Sequence, residues 1–177
     1  MNIKDKKLKQ LTNNIKSQAT EQKEEIKKED IYILVAGSRT LENYELVSKY
    51  LDIEFANNGI TPEKYNITIV EGEATGVDRS ARRYAIEHNY ACKAFPAQWI
   101  IYGNQAGFLR NQKMHNFISH YPNRLCICFK HYMSHGRGTS HSIELGKKFH
   151  TNVIWYDVGE KDNVVRTFYD NNSTTNI

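Results

Sequence analysis

The sequence predicts an α/β fold built on a parallel sheet of about five strands. Three observations carry this expectation. Short apolar runs recur along the chain, and stretches with helical periodicity separate them. The runs are apolar throughout rather than alternating, as strands buried on both faces are. Several end in Gly-containing turns that feed a helix, the arrangement that brings backbone N–H groups to an anion.

Bulk properties agree. The chain has 177 residues, enough for one domain with a sizeable core. Its 25% charged and 11% aromatic content is that of a globular protein. The net charge of +4 favours anionic ligands over cationic ones but is too small to specify nucleic acid. Cys92, Cys126 and Cys128 are odd in number and lack framework spacing, which is expected of reduced thiols in a cytoplasmic protein. No apolar run resembles a signal peptide or a membrane span, so no membrane partner is expected.

Residues 1–30 are rich in Lys, Gln, Glu and Asn. Leu8, Leu11, Ile15, Ala19 and Ile26 form a thin stripe at helical spacing, so a helical extension outside the main domain is predicted. The domain is placed at 31–158. Ile31–Ala36 is the first strand and ends in Gly37-Ser38-Arg39-Thr40. Tyr44, Val47, Leu51 and Phe55 mark a helix that Asn57-Asn58-Gly59 stops. Ile67–Val70 is the second strand. It opens into Glu71-Gly72-Glu73-Ala74-Thr75-Gly76-Val77-Asp78, and a helix follows to about His88. On that helix Ala81 and Ala85 share one face, which permits close approach to the sheet. Arg79, Arg82 and Arg83 fall on other faces, where a solvated surface is expected.

Ala91–Phe95 is the third strand. In the next helix Arg110, Met114 and Phe117 are spaced i, i+4, i+7, which puts a charge on the apolar stripe. Such a charge needs a partner, either an internal carboxylate or an anionic ligand. Leu125–Phe129 is the fourth strand. Gly138-Thr139 opens a helix with Ile143, Gly146 and Phe149 inward, and Asn152–Tyr156 is the fifth strand. Residues 159–177 read as a tail, disordered at its Asn/Ser/Thr-rich end. Cys126 and Cys128 with His131 and His135 have the wrong setting for zinc, because the strand reads as buried, so no metal is expected.

The ordered set of Ala36-Gly37-Ser38-Arg39, Glu71-Gly72-x-Ala74-x-Gly76-x-Asp78, Ala106-Gly107-x-x-Arg110-Asn111-x-x-Met114 and Gly138-Thr139 resembles the YspA/YpsA-related branch of the SLOG superfamily. That superfamily includes LOG-type phosphoribohydrolases, the DNA-processing protein DprA and sensor domains of bacterial and phage conflict systems. The resemblance implies a Rossmann-like three-layer fold with a ligand at the carboxyl edge of the sheet. It further implies that Gly37, Ser38, Arg39, Gly72, Gly76, Gly138 and Thr139 cradle phosphate, with Arg110 and Asn111 as side-chain donors. Glu73 and Asp78 are expected to face the ligand, and Trp99 to offer a base a stacking surface, with Tyr102 and Phe108 as further candidates. Where the LOG-type enzymes carry a catalytic Glu, this chain has Ser142. Glu144 lies two residues further, about 200° round a helix.

The expected function is therefore binding of a nucleotide-derived signalling molecule, such as an ADP-ribose derivative. Sensing or sequestration would suit antiviral defence or its evasion by a phage. No further cofactor is expected, and a homo-oligomer is. The enzymatic alternative is a nucleotide N-glycosidase, with Glu71, Glu73 or Asp78 supplying the carboxylate that an oxocarbenium-like transition state needs. The other alternative is single-stranded DNA binding, for which Arg79, Arg82, Arg83 and the Lys-rich N-terminus are the only support.

Overall fold

In the computed structural model, which describes residues 27–173, the chain alternates strand and helix. β1 (Glu29–Gly37) leads through α1 (Tyr44–Asn57) to β2 (Tyr65–Glu71), and α2 (Val77–Glu87) leads on to β3 (Ala91–Ala94). A single helical turn, α3 (Trp99–Tyr102), precedes α4 (Ala106–Ser119), β4 (Arg124–His131), α5 (Arg137–Lys148), β5 (Val153–Val158) and β6 (Val164–Tyr169). The expected N-terminal helix lies outside the described residues, as do the last four positions of the chain.

The six strands form one sheet in the order β3-β2-β1-β4-β5-β6. All neighbours are parallel except β5 and β6. Strand order reverses between β1 and β4, so the chain leaves these two neighbours toward opposite faces. Side-chain alternation sorts the core accordingly. Ile31, Ile33 and Val35 of β1 pack with Val47, Leu51 and Phe55 of α1 and Ala81 and Ala85 of α2. Leu34 and Ala36 pack with Met114 and Ile118 of α4 and Ile143 of α5. This is the Rossmann-like three-layer α/β arrangement. On the second face α5 comes very close to β5, since a Cβ on Gly146 would lie 2.4 Å from Val153 Cγ2.

Local signals set the element ends. Asn43 caps α1, its side chain accepting from the Leu46 N–H at 3.1 Å. Gly59, at φ +61°, follows the end of that helix. The sixth strand departs from the expected tail after residue 158. Val164–Tyr169 returns antiparallel along β5 and is pinned from the far side of the fold. Glu54 of α1, fully buried, accepts from Arg166 at 2.6 and 3.0 Å and from the Tyr156 hydroxyl. Burial would raise the Glu54 pKa, but Arg166 and Tyr156 outweigh it and hold it below the usual carboxylate range. Among the described residues no helix is long and apolar enough to cross a membrane.

Candidate functional site

At the point where strand order reverses, the carboxyl ends of β1 and β4 open into a cleft of about 300 Å³. Its walls are the β1–α1 turn, the starts of α4 and α5, and one residue of α2. Of the expected ligand residues, Gly37, Ser38, Arg39, Asp78 and Trp99 line it. Arg110, Asn111, Gly138 and Thr139 line it too. Gly72 and Glu73 border an adjoining hollow that shares Arg39, Trp99 and Arg110 with the cleft. Gly76 lies instead beside Arg79 and Arg83 in a separate depression.

The β1–α1 turn is held from β4. The Ser38 N–H donates to Phe129 O at 2.9 Å, and Ser38 Oγ accepts from the His131 N–H at 2.9 Å. Gly37 is glycine for packing reasons, because a Cβ there would lie 2.5 Å from Val77 Cγ2 and 2.6 Å from Phe129 O. Arg39 lays its guanidinium over Trp99, 5.1 Å from the ring centroid. The two side chains thus meet where the cleft joins the neighbouring hollow.

The β2–α2 loop satisfies itself. Its Gly72 and Ala74 N–H groups donate to Asp78 Oδ2 at 3.1 and 3.3 Å. The Glu73 N–H donates to Glu71 Oε2 at 2.6 Å, and the Val77 N–H to Ser38 O at 3.4 Å. Its glycines serve close approach. A Cβ on Gly72 would meet the Arg110 guanidinium, and one on Gly76, at φ +72°, would run into the Ser38 and Arg39 backbone. Glu71 and Glu73 point the same way, as alternation requires, but that way is toward Arg82. The Arg82 guanidinium donates to Glu71 at 2.6 and 3.0 Å and to Glu73 at 3.0 Å. Glu71 is fully buried in this contact. Neither acid lines the cleft.

Among the described residues Asp78 is the one carboxylate that does. It is buried and faces Arg110, whose Nη1 lies 3.2 Å from Oδ2. Arg110 also donates to the Gly72 carbonyl, and its Nε donates to Asn111 Oδ1 at 2.9 Å. Burial pushes Asp78 upward in pKa, against Arg110 and the two loop amides. Burial likewise pushes Arg110 downward, against Asp78. The charge on the apolar stripe of α4 therefore has an internal partner.

The start of α5 is built differently. Gly136 precedes it at φ +65°, no side chain caps it, and its first turn holds no acid. The first intrahelical bond runs from the Ser140 N–H to Gly136 O at 2.8 Å, so the amides of Arg137, Gly138 and Thr139 precede the helical ladder. Asn111 fixes this turn to α4 by donating to Gly138 O at 3.1 Å. A Cβ on Gly138 would meet nothing within 4 Å. Three residues after Thr139, Ser142 is buried against α4, its Oγ 2.8 Å from His115 Nε2. Burial lowers the His115 pKa to about 3, so the ring is neutral in that contact at ordinary pH. The position that bears a Glu in LOG-type enzymes is here a helix–helix contact, and Glu144 is exposed.

Sequence reasoning passed over Arg137 and Asn104, which also line the cleft. Arg137 was legible as the residue before Gly138-Thr139, had the helix been begun one position earlier. His135, expected as a surface residue, lines the cleft as well, and His131 lies 3.0 Å from Thr40 Oγ1 through its Nδ1. Cys126 and Cys128 are buried on the α4–α5 side of β4, 3.6 Å apart. Among the described residues no cluster of three or more metal-ligating side chains occurs.

Sheet and cleft define an α/β protein of the doubly wound class, with its crevice at the switch point. Residues 31–102 match the model of the YspA, cpYpsA-related SLOG family, the family that the turn motifs resemble. The matched segment includes the first two turns and Trp99 but ends before Arg110 and the α5 turn. The X-ray structure of DNA processing protein A (DprA) from Streptococcus pneumoniae is similar over 70% of this chain and 49% of that one, with a TM-score of 0.47 and 15% identity. The chain thus spans about half the length of that protein. No curated protein matches the chain.

Proposed function

We propose that the chain binds a phosphate-bearing nucleotide, or a signalling molecule derived from one, in the cleft between β1, α4 and α5, and holds it unchanged. The observation that carries this reading is the uncapped N-terminus of α5 opening onto a cleft lined by Arg39, Arg110 and Arg137, with Asp78 as the one carboxylate. Free helical amides and the helix dipole favour an anion there. Asp78 is already neutralised by Arg110, so the surplus positive charge lies on Arg39 and Arg137. Trp99, half exposed at the mouth and stacked under Arg39, offers a face for a base. An ADP-ribose derivative has both features, phosphate and base. The role we assign is sensing or sequestering such a molecule, in antiviral signalling or in its evasion by a phage.

Binding without cleavage is favoured by where the acids are. Glu71 and Glu73 are committed to Arg82, Asp78 to Arg110 and two amides, and Ser142 to His115. None is a carboxylate free to approach a ribosyl carbon. The DNA-binding alternative loses most of its stripe, since Arg82 pairs with Glu71 and Glu73, and Arg83 with Glu87 at 2.8 Å.

Calorimetric titration with AMP and with ADP-ribose tests the reading. Saturable binding is expected for the native chain, weakened roughly tenfold or more in Arg137→Glu, the equivalent of about 1.4 kcal/mol. Chromatography after denaturation is expected to return the nucleotide intact. Release of free base would replace the binding reading with the glycosidase one. Binding indifferent to Arg137→Glu would remove the ligand from the α5 turn.

A further inference from the structure

Arg79 and Arg83, expected on a solvated surface, stand instead in the wall of a second depression. Gly76, Arg79, Ser80 and Arg83 are spaced i, i+3, i+4, i+7, so they form one stripe along the start of α2. With Glu42 and Tyr44 at the approach to α1 they enclose about 200 Å³. Ser80 is only 5% exposed, and its hydroxyl makes no hydrogen bond to the described residues. That hydroxyl is not sealed from solvent, and the space it reaches is this depression. Arg79 has no partner among the described residues. Arg83 is held in place, its guanidinium 3.8 Å from the Tyr44 ring centroid and its Nε donating to Glu87 at 2.8 Å. Its two terminal nitrogens keep their donors free. No side chain caps α2, and its first intrahelical bond runs from the Ser80 N–H to Gly76 O at 3.1 Å, so the Asp78 and Arg79 amides precede the helical ladder. The Asp78 carboxylate, in the same turn, faces away toward Arg110 and the loop amides.

We infer that this depression binds a phosphate dianion through Arg79, the free nitrogens of Arg83 and the Ser80 hydroxyl. A buried hydroxyl without a partner calls for one. Two guanidinium groups flanking it on one helical face offer the forked donors that a tetrahedral oxyanion accepts. The positive end of the α2 dipole lies in the same place. Size selects the phosphate group rather than a nucleotide. The depression is smaller than the roughly 300–1,000 Å³ of pockets that bury a drug-sized ligand. Glu42 is the one carboxylate in its wall, exposed and opposed to the anion, so Glu42→Gln is expected to tighten binding. The site is separate from the cleft and does not depend on what the cleft holds. It adjoins the cleft's first turn, since Gly76 lies against the Ser38 and Arg39 backbone.

Titration of the full ¹⁵N-labelled chain with sodium phosphate, at neutral pH and constant ionic strength, is the test. Saturable shifts are expected at the Asp78, Arg79 and Ser80 amides. Arg79→Ala should weaken binding roughly tenfold and Ser80→Ala about threefold. The Ser80 hydroxyl has no bond to lose, so Ser80→Ala is expected to melt with the native chain, which separates loss of binding from loss of fold. Lys148→Ala, at an exposed position near the end of α5, is expected to leave the affinity unchanged. Glycerol 3-phosphate, run in parallel, identifies the source of the phosphate. Binding as tight as that of phosphate or tighter makes a phosphate ester the occupant, and weaker binding makes it the free ion. No shift at the start of α2 overturns the inference. So do shifts that Arg79→Ala leaves in place, or that Lys148→Ala weakens equally. Shifts confined to the α5 turn overturn it too, while leaving the reading of the cleft intact.

Discussion

Two strand-to-helix turns stand at the carboxyl edge of this sheet, and they differ in where their amides point. The β2–α2 loop, Gly72–Asp78, has the richer motif, yet Asp78 and Glu71 already accept its Gly72, Glu73 and Ala74 amides. The α5 turn has the plainer motif, Gly136-Arg137-Gly138-Thr139, and neither a capping side chain nor an acid in its first turn. A Gly-rich turn therefore marks an anion site only when its own chain leaves the amides free. In the β2–α2 loop the carboxylates take the place a phosphate would fill, and the loop becomes a rigid wall. The α5 turn has no carboxylate in that place.

The largest effect is expected from breaking the wall. Asp78→Ala leaves Arg110 buried beside two unpartnered amides, which should lower unfolding free energy by about 3–5 kcal/mol. Urea denaturation measures this. A loss under about 1 kcal/mol would mean that the loop is held by something other than its own acid.

The support beneath the α5 turn gives the next effect. His115 is neutral in the folded protein, with its pKa lowered from 6.5 to about 3 by burial. Between those values the unfolded chain binds a proton at this residue and the folded chain does not. Stability therefore falls as pH falls through this window, by about 1.4 kcal/mol per pH unit from this residue. His115→Gln should remove that contribution and flatten the stability curve between pH 6.5 and 4.5. Curves of equal slope for the two proteins would show that His115 titrates normally.

Smaller still is the contrast between two glycines. Gly76→Ala forces a Cβ onto a residue at φ +72° and against Ser38 O, and should cost about 1–3 kcal/mol. Gly138→Ala adds a methyl group to open space at a helix start and should change stability by less than about 0.5 kcal/mol. It should instead weaken nucleotide binding, because Gly138 lines the cleft. Thermal melts of both variants, with the AMP titration repeated on Gly138→Ala, check the pair.

Much of this was readable from the sequence, and the remainder fails for identifiable reasons. The strand runs, the α1 stop at Asn57-Asn58-Gly59 and the charge at Arg110 were legible, because each is a local pattern. β6 was not, because what holds it is Glu54, 112 residues before Arg166. Glu71 and Glu73 could be given a common direction by alternation but not a partner. Arg82 meets them only once α2 has packed beside the end of β2. Ser142 marked the loss of a carboxylate, while its bond to His115 needed two helices side by side.

The most direct test follows the backbone amides themselves during a titration with AMP, by ¹H–¹⁵N correlation spectra of the labelled chain. The largest shifts are expected at Arg137, Gly138 and Thr139, with Gly72, Glu73 and Ala74 nearly unmoved. The reverse pattern, or no shift at the α5 turn at saturating AMP, would contradict the account.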